Sequence, residues 1–199
     1  MLQRARNHLV AWLIEHHPGV FLHWKKINPH RLGEDPAFLR VHAQLVREFA
    51  FIQRFEERYN LWALARSVAA RAGALAEVGV YRGSSALILC AAKDNAPLHL
   101  FDTFPGMPEV NPATDGAFRA GDFADGDMEQ VRKFLAGYSD LHIHPGTFPA
   151  SAAALQNPGL TFKFVHLDVD LHASTRDALA WFYPRMVRGG LTGPTTSAT

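Results

Sequence analysis

The sequence predicts an α/β fold: a parallel sheet covered by helices, preceded by a helical cap. Three observations carry this. From Ala74 onward, short apolar runs alternate with helical patterns, the arrangement that builds βαβ units. The first run leads into Ala76-Glu77-Val78-Gly79-Val80-Tyr81-Arg82-Gly83-Ser84-Ser85-Ala86, which reads as strand, glycine turn and helix start. Two later runs end in acids, Asp102 and Asp168, at the strand ends where open α/β sheets place their ligands.

Taken in order, residues 2–16 read as an amphipathic helix closed by Pro18-Gly19, and 18–35 as loop with Pro29 and Gly33. Asp35-Pro36 is an N-cap followed by a first helical position. Phe38, Val41, Leu45, Phe49 and Ile52 recur at helical spacing, so one long helix is expected over 36–58. Leu61, Leu64 and Val68 mark another over 60–71, ending near Gly73. Residues 1–72 thus form a helical cap, and 73–199 the sheet domain. Packing onto the adjoining domain accounts for the cap, and a homo-oligomer contact through the same helices stays open. Strands are expected at 74–79, 97–102, 140–144 and 161–167, with a fifth after Arg188-Gly189-Gly190. Helices are expected at 84–94, 127–136, 149–155 and 173–183.

A chain of 199 residues with 48% hydrophobic content can bury a sizeable core. Its net charge of +1 gives no footprint for nucleic acid. Arg4 and Arg6 precede an apolar run at 9–14 that resembles the start of a secretion signal. Glu15-His16-His17-Pro18 stops that run, and no small-residue cleavage site follows. No stretch approaches the length of a membrane span. A cytoplasmic protein without an integral membrane segment is expected, with a weak peripheral contact by the Trp12 helix left open. The single cysteine, Cys90, excludes a disulfide framework and reads as a buried, inert thiol.

Gly79 and Gly83 allow close backbone approach, and the helix start beyond them offers N–H groups to an anionic or polar ligand group. The G-x-x-x-G spacing matches neither the dinucleotide fingerprint nor the phosphate-binding loop. The missing third glycine and Tyr81-Arg82 inside the turn argue against a nicotinamide oxidoreductase. Asp102 can accept both hydrogen bonds of a ribose diol, or stand as a solvated charge. Asp168 and Asp170 lie two apart just beyond an apolar strand, where carboxylates need a cation or hydrogen bonds. A hard divalent ion such as Mg²⁺ suits them; alternatively Asp170, or Ser174-Thr175, caps the helix starting near Ala173. His166 reads as a satisfied near-core histidine, and His172 as a side chain able to face a substrate. His142 and His144 share a strand face, which alone makes no metal site. Phe104-Pro105-Gly106-Met107-Pro108 either lids a cofactor or packs its own loop.

Together, Glu77-Val-Gly-Val-Tyr-Arg-Gly-Ser-Ser, Phe101-Asp-Thr-Phe-Pro-Gly-Met-Pro, Gly121-Asp-Phe, His166-Leu-Asp-Val-Asp-Leu-His-Ala-Ser-Thr-Arg-Asp-Ala-Leu and Tyr183-Pro-Arg-Met-Val-Arg-Gly-Gly resemble the macrocin O-methyltransferase family. That family includes enzymes that methylate sugars of macrolide and aminocoumarin antibiotics. The resemblance covers about residues 74–190. It implies a Rossmann-like class I methyltransferase sheet that binds S-adenosylmethionine (SAM), with Mg²⁺-assisted transfer to a hydroxyl of a small-molecule acceptor. By position, Glu77, Gly79, Tyr81 and Gly83 would line the methionine end of SAM. Ser84 or Ser85 would meet its carboxylate, and Asp102, followed by Thr103, would hold the ribose. Gly146 and Thr147 would lie near the adenine. Asp168 matches the family's first metal ligand, and Asp170 the acid proposed to take the substrate proton.

The tail Gly190-Leu-Thr-Gly-Pro-Thr-Thr-Ser-Ala-Thr departs from the family. There an apolar strand runs into an Asp-Asp-Tyr-type segment that supplies further metal ligands. Here Pro194 stands where a central strand needs its N–H. The resemblance therefore implies a sheet incomplete at its C-terminal edge, exposed apolar surface at the fourth and fifth strands, an incomplete metal site, weakened SAM binding and little turnover. A non-catalytic SAM-binding module, or an inactive fragment, is the alternative function.

Overall fold

The computed structural model describes residues 2–18, 20, 21, 35–49, 53–155 and 157–194. Its helices are α1 (Leu2–His16), α2 (Pro36–Glu48), α3 (Phe55–Ser67), α4 (Ser84–Ala92), α5 (Met128–Phe134) and α6 (His172–Phe182). Its strands are β1 (Ala74–Val78), β2 (Leu98–Asp102), β3 (Leu141–Pro145), β4 (Phe162–Leu167) and β5 (Met186–Pro194). All neighbouring strands pair in parallel, in the order β3-β2-β1-β4-β5. The chain builds outward from β1 through β2 to β3, then returns to place β4 on the other side of β1. The strand order therefore reverses between β1 and β4, and ligand crevices of such sheets open at that point.

β1, β2 and β4 are buried nearly throughout, as expected for central strands of a parallel sheet. Alternation then sorts the side chains onto two faces. Ala74, Ala76, Val78, Phe101, Val165 and Leu167 pack with Phe148, Ala178 and Phe182 in one core cluster. The Phe148 and Phe182 rings stack with centroids 5.2 Å apart, and Phe162 meets Phe182 edge to face at 5.0 Å.

By its contacts the chain divides into two units, Met1–Ala63 and Leu64–Thr199. In the first, Asp35 caps α2 as expected, its Oδ1 accepting N–H bonds from Ala37 and Phe38. Its Oδ2 accepts from the Trp62 indole at 2.9 Å, tying the cap to α3. Phe38 and Leu45 are fully buried, and Arg47 pairs with Glu15 between α2 and α1.

The expected helices over 36–58 and 60–71 are instead α2 and α3, with a break between them. Phe49 is extended (φ −118°, ψ 131°), which ends α2. Glu57 reaches back to accept the Arg54 N–H at 2.8 Å and the Arg54 Nε at 2.9 Å, so a new helix starts at Phe55. This is the reciprocal half of a capping box, and apolar periodicity running through it concealed the break. Ile52 and most of the loop expected at 18–35 lie outside the described residues, as does the tail after Pro194.

β5 also differs from expectation. It runs through Gly189 and Gly190, with Pro194 in register opposite Leu167. Among the described strands it is the outermost, a position where a proline is tolerated. Phe162 aligns with Met186 and Phe164 with Leu191, so β5 bulges between them. Gly189 makes the bulge at φ 72°, and the Arg71 guanidinium fills the space a Cβ would take. Arg71 donates to the Arg188 carbonyl at 3.1 Å, pinning the bulge.

Candidate active site

The glycine turn between β1 and α4 is built by one carboxylate. Asp102 Oδ2 accepts the N–H groups of Val80 (2.6 Å) and Tyr81 (2.7 Å), and Oδ1 accepts that of Phe104 (2.6 Å). Three backbone donors thus converge on the acid that the sequence marks for a ribose. An ionised carboxylate has about four acceptor positions, so capacity for one further hydroxyl remains. The Asp102 carbonyl accepts the Gly146 N–H at 2.8 Å, placing Gly146-Thr147 beside the same strand end. Thr103 Oγ1 donates to the Gly106 carbonyl at 2.6 Å and so shapes the loop after β2.

Gly79 is required by packing as well as by conformation. Its φ is 89°, and a Cβ there would lie 2.1 Å from the Asp168 carbonyl oxygen. The Asp168 N–H donates to the Val78 carbonyl at 2.8 Å, locking the ends of β1 and β4 together. The first acid of the Asp168-Val169-Asp170 segment therefore rests against the glycine turn. Gly83 (φ 88°) caps α4 without a side chain, so the first amides of α4 have no side-chain cap from it. Ser84 and Ser85 open α4 and are buried.

Glu77 bonds within the sheet. It is fully buried, and its Oε1 bonds His166 Nδ1 at 2.9 Å across the β1–β4 pair. Among the described residues, Glu77 Oε2 has no hydrogen-bond partner. Burial alone would lower the His166 pKa, but the hydrogen bond and charge of Glu77, with the charge of Asp168, raise it above the ordinary value. His166 is thus the satisfied near-core histidine expected. Burial, then the Glu77 charge, pushes the Cys90 thiol up to about 12, so this cysteine stays protonated and inert.

Asp168 is half-buried and Asp170 exposed, two residues before α6. Desolvation by its surroundings raises the Asp170 carboxyl, the direction that suits a group accepting a proton. Asp170 does not cap α6. Leu171 is the N-cap position and offers no side-chain bond. The His172 N–H instead donates to Asp115 Oδ1 at 2.8 Å. Thr175 also does not cap; its hydroxyl bonds back to the Leu171 carbonyl at 3.1 Å.

The loop over 103–127 packs against the glycine turn. Phe104 is buried, so the apolar loop residues include one that packs the loop itself. Tyr81 stands at φ 50° with its ring edge to face with Phe123 at 5.3 Å. Burial and a hydrogen bond to Asp125 raise the Tyr81 phenol pKa. Phe123 stands in the Gly121-Asp-Phe motif without a role read for it, and Asp115 was not legible as a site residue, because nothing in Asn111-Pro-Ala-Thr-Asp-Gly distinguishes a structural carboxylate from ordinary loop chemistry. His142 and His144 do share a face, stacked with His99 from β2; His99 Nδ1 lies 3.0 Å from His144 Nε2.

Among the described residues, no group of three or more His, Cys, Asp or Glu side chains is placed to hold a metal ion. Among them, too, no helix is long and apolar enough to cross a membrane.

Comparison with known proteins places this geometry. The family model described as macrocin-O-methyltransferase (TylF) matches residues 56–192, which include the glycine turn, β1 to β4 and most of β5. An 8-demethyl-8-(2,3-dimethoxy-α-L-rhamnosyl)-tetracenomycin-C 4′-O-methyltransferase of Streptomyces olivaceus is 32% identical over 59% of this chain. The chain spans about half the length of that curated relative, 50%. A crystal structure of the calicheamicin methyltransferase CalS11 superposes with TM-score 0.62 at 20% identity, covering 81% of this chain and 77% of that one. An apo structure of CalS11, titled a TDP-rhamnose 3′-O-methyltransferase, gives 0.54 at 18% identity over the same shares. At these identities the two structures support the fold alone.

Proposed function

The chain belongs to the macrocin-O-methyltransferase family, and from that premise we propose that it is a SAM-dependent O-methyltransferase domain acting on a hydroxyl of a small molecule. The acceptor class we assign is a sugar or sugar-bearing natural product, supported by the rhamnosyl substrate in the name of the Streptomyces olivaceus relative. The observation that carries the reading is the contact between Gly79 and Asp168, which sets a ligand-binding turn against a pair of strand-end acids.

SAM supplies an electrophilic methyl on a sulfonium. The residues here suit such a ligand. The amides at the start of α4, beside Ser84 and Ser85, offer donors to a carboxylate. Glu77, Gly79, Tyr81 and Gly83 form or underlie the turn, and Asp102 retains capacity for a ribose hydroxyl. Gly146 and Thr147 are held next to it for the base. On the acceptor side, Asp170 is the carboxylate that would take the hydroxyl proton, its raised pKa making it a stronger base than an ordinary aspartate. Asp168 would be this chain's contribution to a Mg²⁺ site. Among the described residues, no group of three or more His, Cys, Asp or Glu side chains gathers there.

Calorimetry with SAM, followed by methyl transfer to methyl α-L-rhamnopyranoside in Mg²⁺ and EDTA arms, tests the proposal. Saturable SAM binding with product formation is expected. Binding without turnover in either arm would assign a SAM-binding module instead. No SAM binding by folded protein would overturn both readings.

A further inference from the structure

We propose that Asp115 is a positioning residue that straps the loop over 103–127 across the mouth of the sheet, closing the acceptor side of the site. The inference rests on the methyltransferase reading for what the closed space holds, but not for the strap itself.

The topology dictates the path of the loop. It leaves the C-terminal end of β2, where the Phe104 N–H is held by Asp102. Its Asp115 reaches the N-terminus of α6, which follows the C-terminal end of β4. β1 lies between β2 and β4, so a chain fixed at both places must pass over the end of β1, where the glycine turn sits. At neighbour spacings of about 4.8 Å, that crossing spans about 10 Å.

Asp115 is built for this task. It is buried although it belongs to a long loop, and both its oxygens are engaged. Oδ1 accepts the His172 N–H at 2.8 Å, and Oδ2 accepts the Thr114 hydroxyl at 2.9 Å. Its own N–H donates to the Asn111 carbonyl (2.8 Å), and its carbonyl accepts the Phe118 N–H (2.9 Å). α6 has no cap of its own, since Leu171 cannot provide one and the first turn contains no acid. A carboxylate 57 positions earlier in the chain therefore supplies the cap. The capped turn directly follows Asp168-Val169-Asp170, so one bond fixes both the strap and the backbone that carries the two acids. The loop is also fastened independently of Asp115, at β2 by the Phe104 N–H on Asp102 and at the glycine turn by Phe123 and Asp125 on Tyr81. Release of Asp115 should therefore loosen the acceptor side while leaving the SAM side in place.

The test compares Asp115→Ala and Asp115→Asn with the parent chain. Expected for Asp115→Ala is a rise in the KM for methyl α-L-rhamnopyranoside of about tenfold, the loss typical of one charge-assisted bond, with the SAM Kd within about twofold. Asp115→Asn keeps an acceptor oxygen for the His172 N–H and should recover most of that loss. In hydrogen–deuterium exchange, amides of 111–118 and 170–175 should lose protection together in Asp115→Ala, while those of 79–86 keep theirs. Unchanged exchange at 111–118 overturns the proposal, as does a SAM Kd that weakens in step with KM. If the parent chain binds SAM but methylates nothing, the functional reading fails while the exchange experiment still decides the strap. Should Asp115→Ala not fold, Thr114→Ala, which removes only the bond to Oδ2, is measured the same way. A smaller joint loss of protection supports the strap, and none overturns it.

Discussion

Acidification should destabilise this fold through one imidazole. His99 on β2 is 6% exposed, stacked between His142 and His144 and edge to face with Phe162. Burial first, then the two neighbouring imidazoles, lowers its pKa from 6.5 to about 4. The unfolded chain would therefore take up a proton near the ordinary histidine value, while the folded chain resists until about 4. The unfolded state binds more protons in that window, so stability is full above it and falls as pH drops through it. Between about pH 7.5 and about pH 4.5 the loss from His99 alone comes to about 2.5 kcal/mol, a sizeable part of a typical domain's stability. Urea unfolding of the parent and of His99→Phe at both pH values isolates the effect, because other titrating groups cancel in the difference. Phenylalanine fits a site already lined by Phe101 and Phe162 rings. His144, also lowered by burial and by His142, leaves a smaller residual dependence in the variant. His166 works in the opposite sense: its raised value gives stability that is lost as pH rises through it. If parent and variant lose equal stability on acidification, the assignment to His99 is wrong.

Three further outcomes are expected. Gly79→Ala should cost about 3 kcal/mol or prevent folding, since its methyl would overlap the Asp168 carbonyl at a φ that disfavours alanine; thermal melting checks this, and a wild-type midpoint would refute it. Asp102→Ala should weaken SAM binding by about a hundredfold and lower stability by about 2 kcal/mol, because three amide donors lose their acceptor; calorimetry with SAM and urea unfolding read the two effects separately. Glu77→Ala should destabilise by about 3–5 kcal/mol, the penalty of leaving half of a buried ion pair, whereas Glu77→Gln, still able to accept from His166, should lose clearly less in the same unfolding assay.

The sheet was legible because burial writes itself into composition. Leu98-His-Leu-Phe and Phe162-Lys-Phe-Val-His-Leu are dense in residues that favour a pleated, covered strand. The places where reading from sequence failed were decided by particular bonds that apolar periodicity does not report. Glu57 broke the predicted helix by reaching back to Arg54, and Asp115 took over a cap that Asp170 was positioned to provide. The place of Pro194 was unreadable for another reason: which strands flank a strand is not written in the strand. In the candidate site, the types of residue and their gathering at strand ends could be anticipated. That Glu77 turns inward to His166, and that Asp102 spends three of its bonds on backbone, required the register of β1 against its neighbours.

The three amides gathered by Asp102 come from two different segments, the glycine turn and the start of the loop after β2. Strand end, turn and loop thus meet at a single node with little freedom to adjust separately. A molecule that draws on the same carboxylate must share it with both segments, so its arrival changes the stability of both at once. By reciprocity, such a molecule and whatever holds Phe104 at the root of the loop strengthen one another by the same factor, while the strap at Asp115, fastened through α6, stands apart from that exchange.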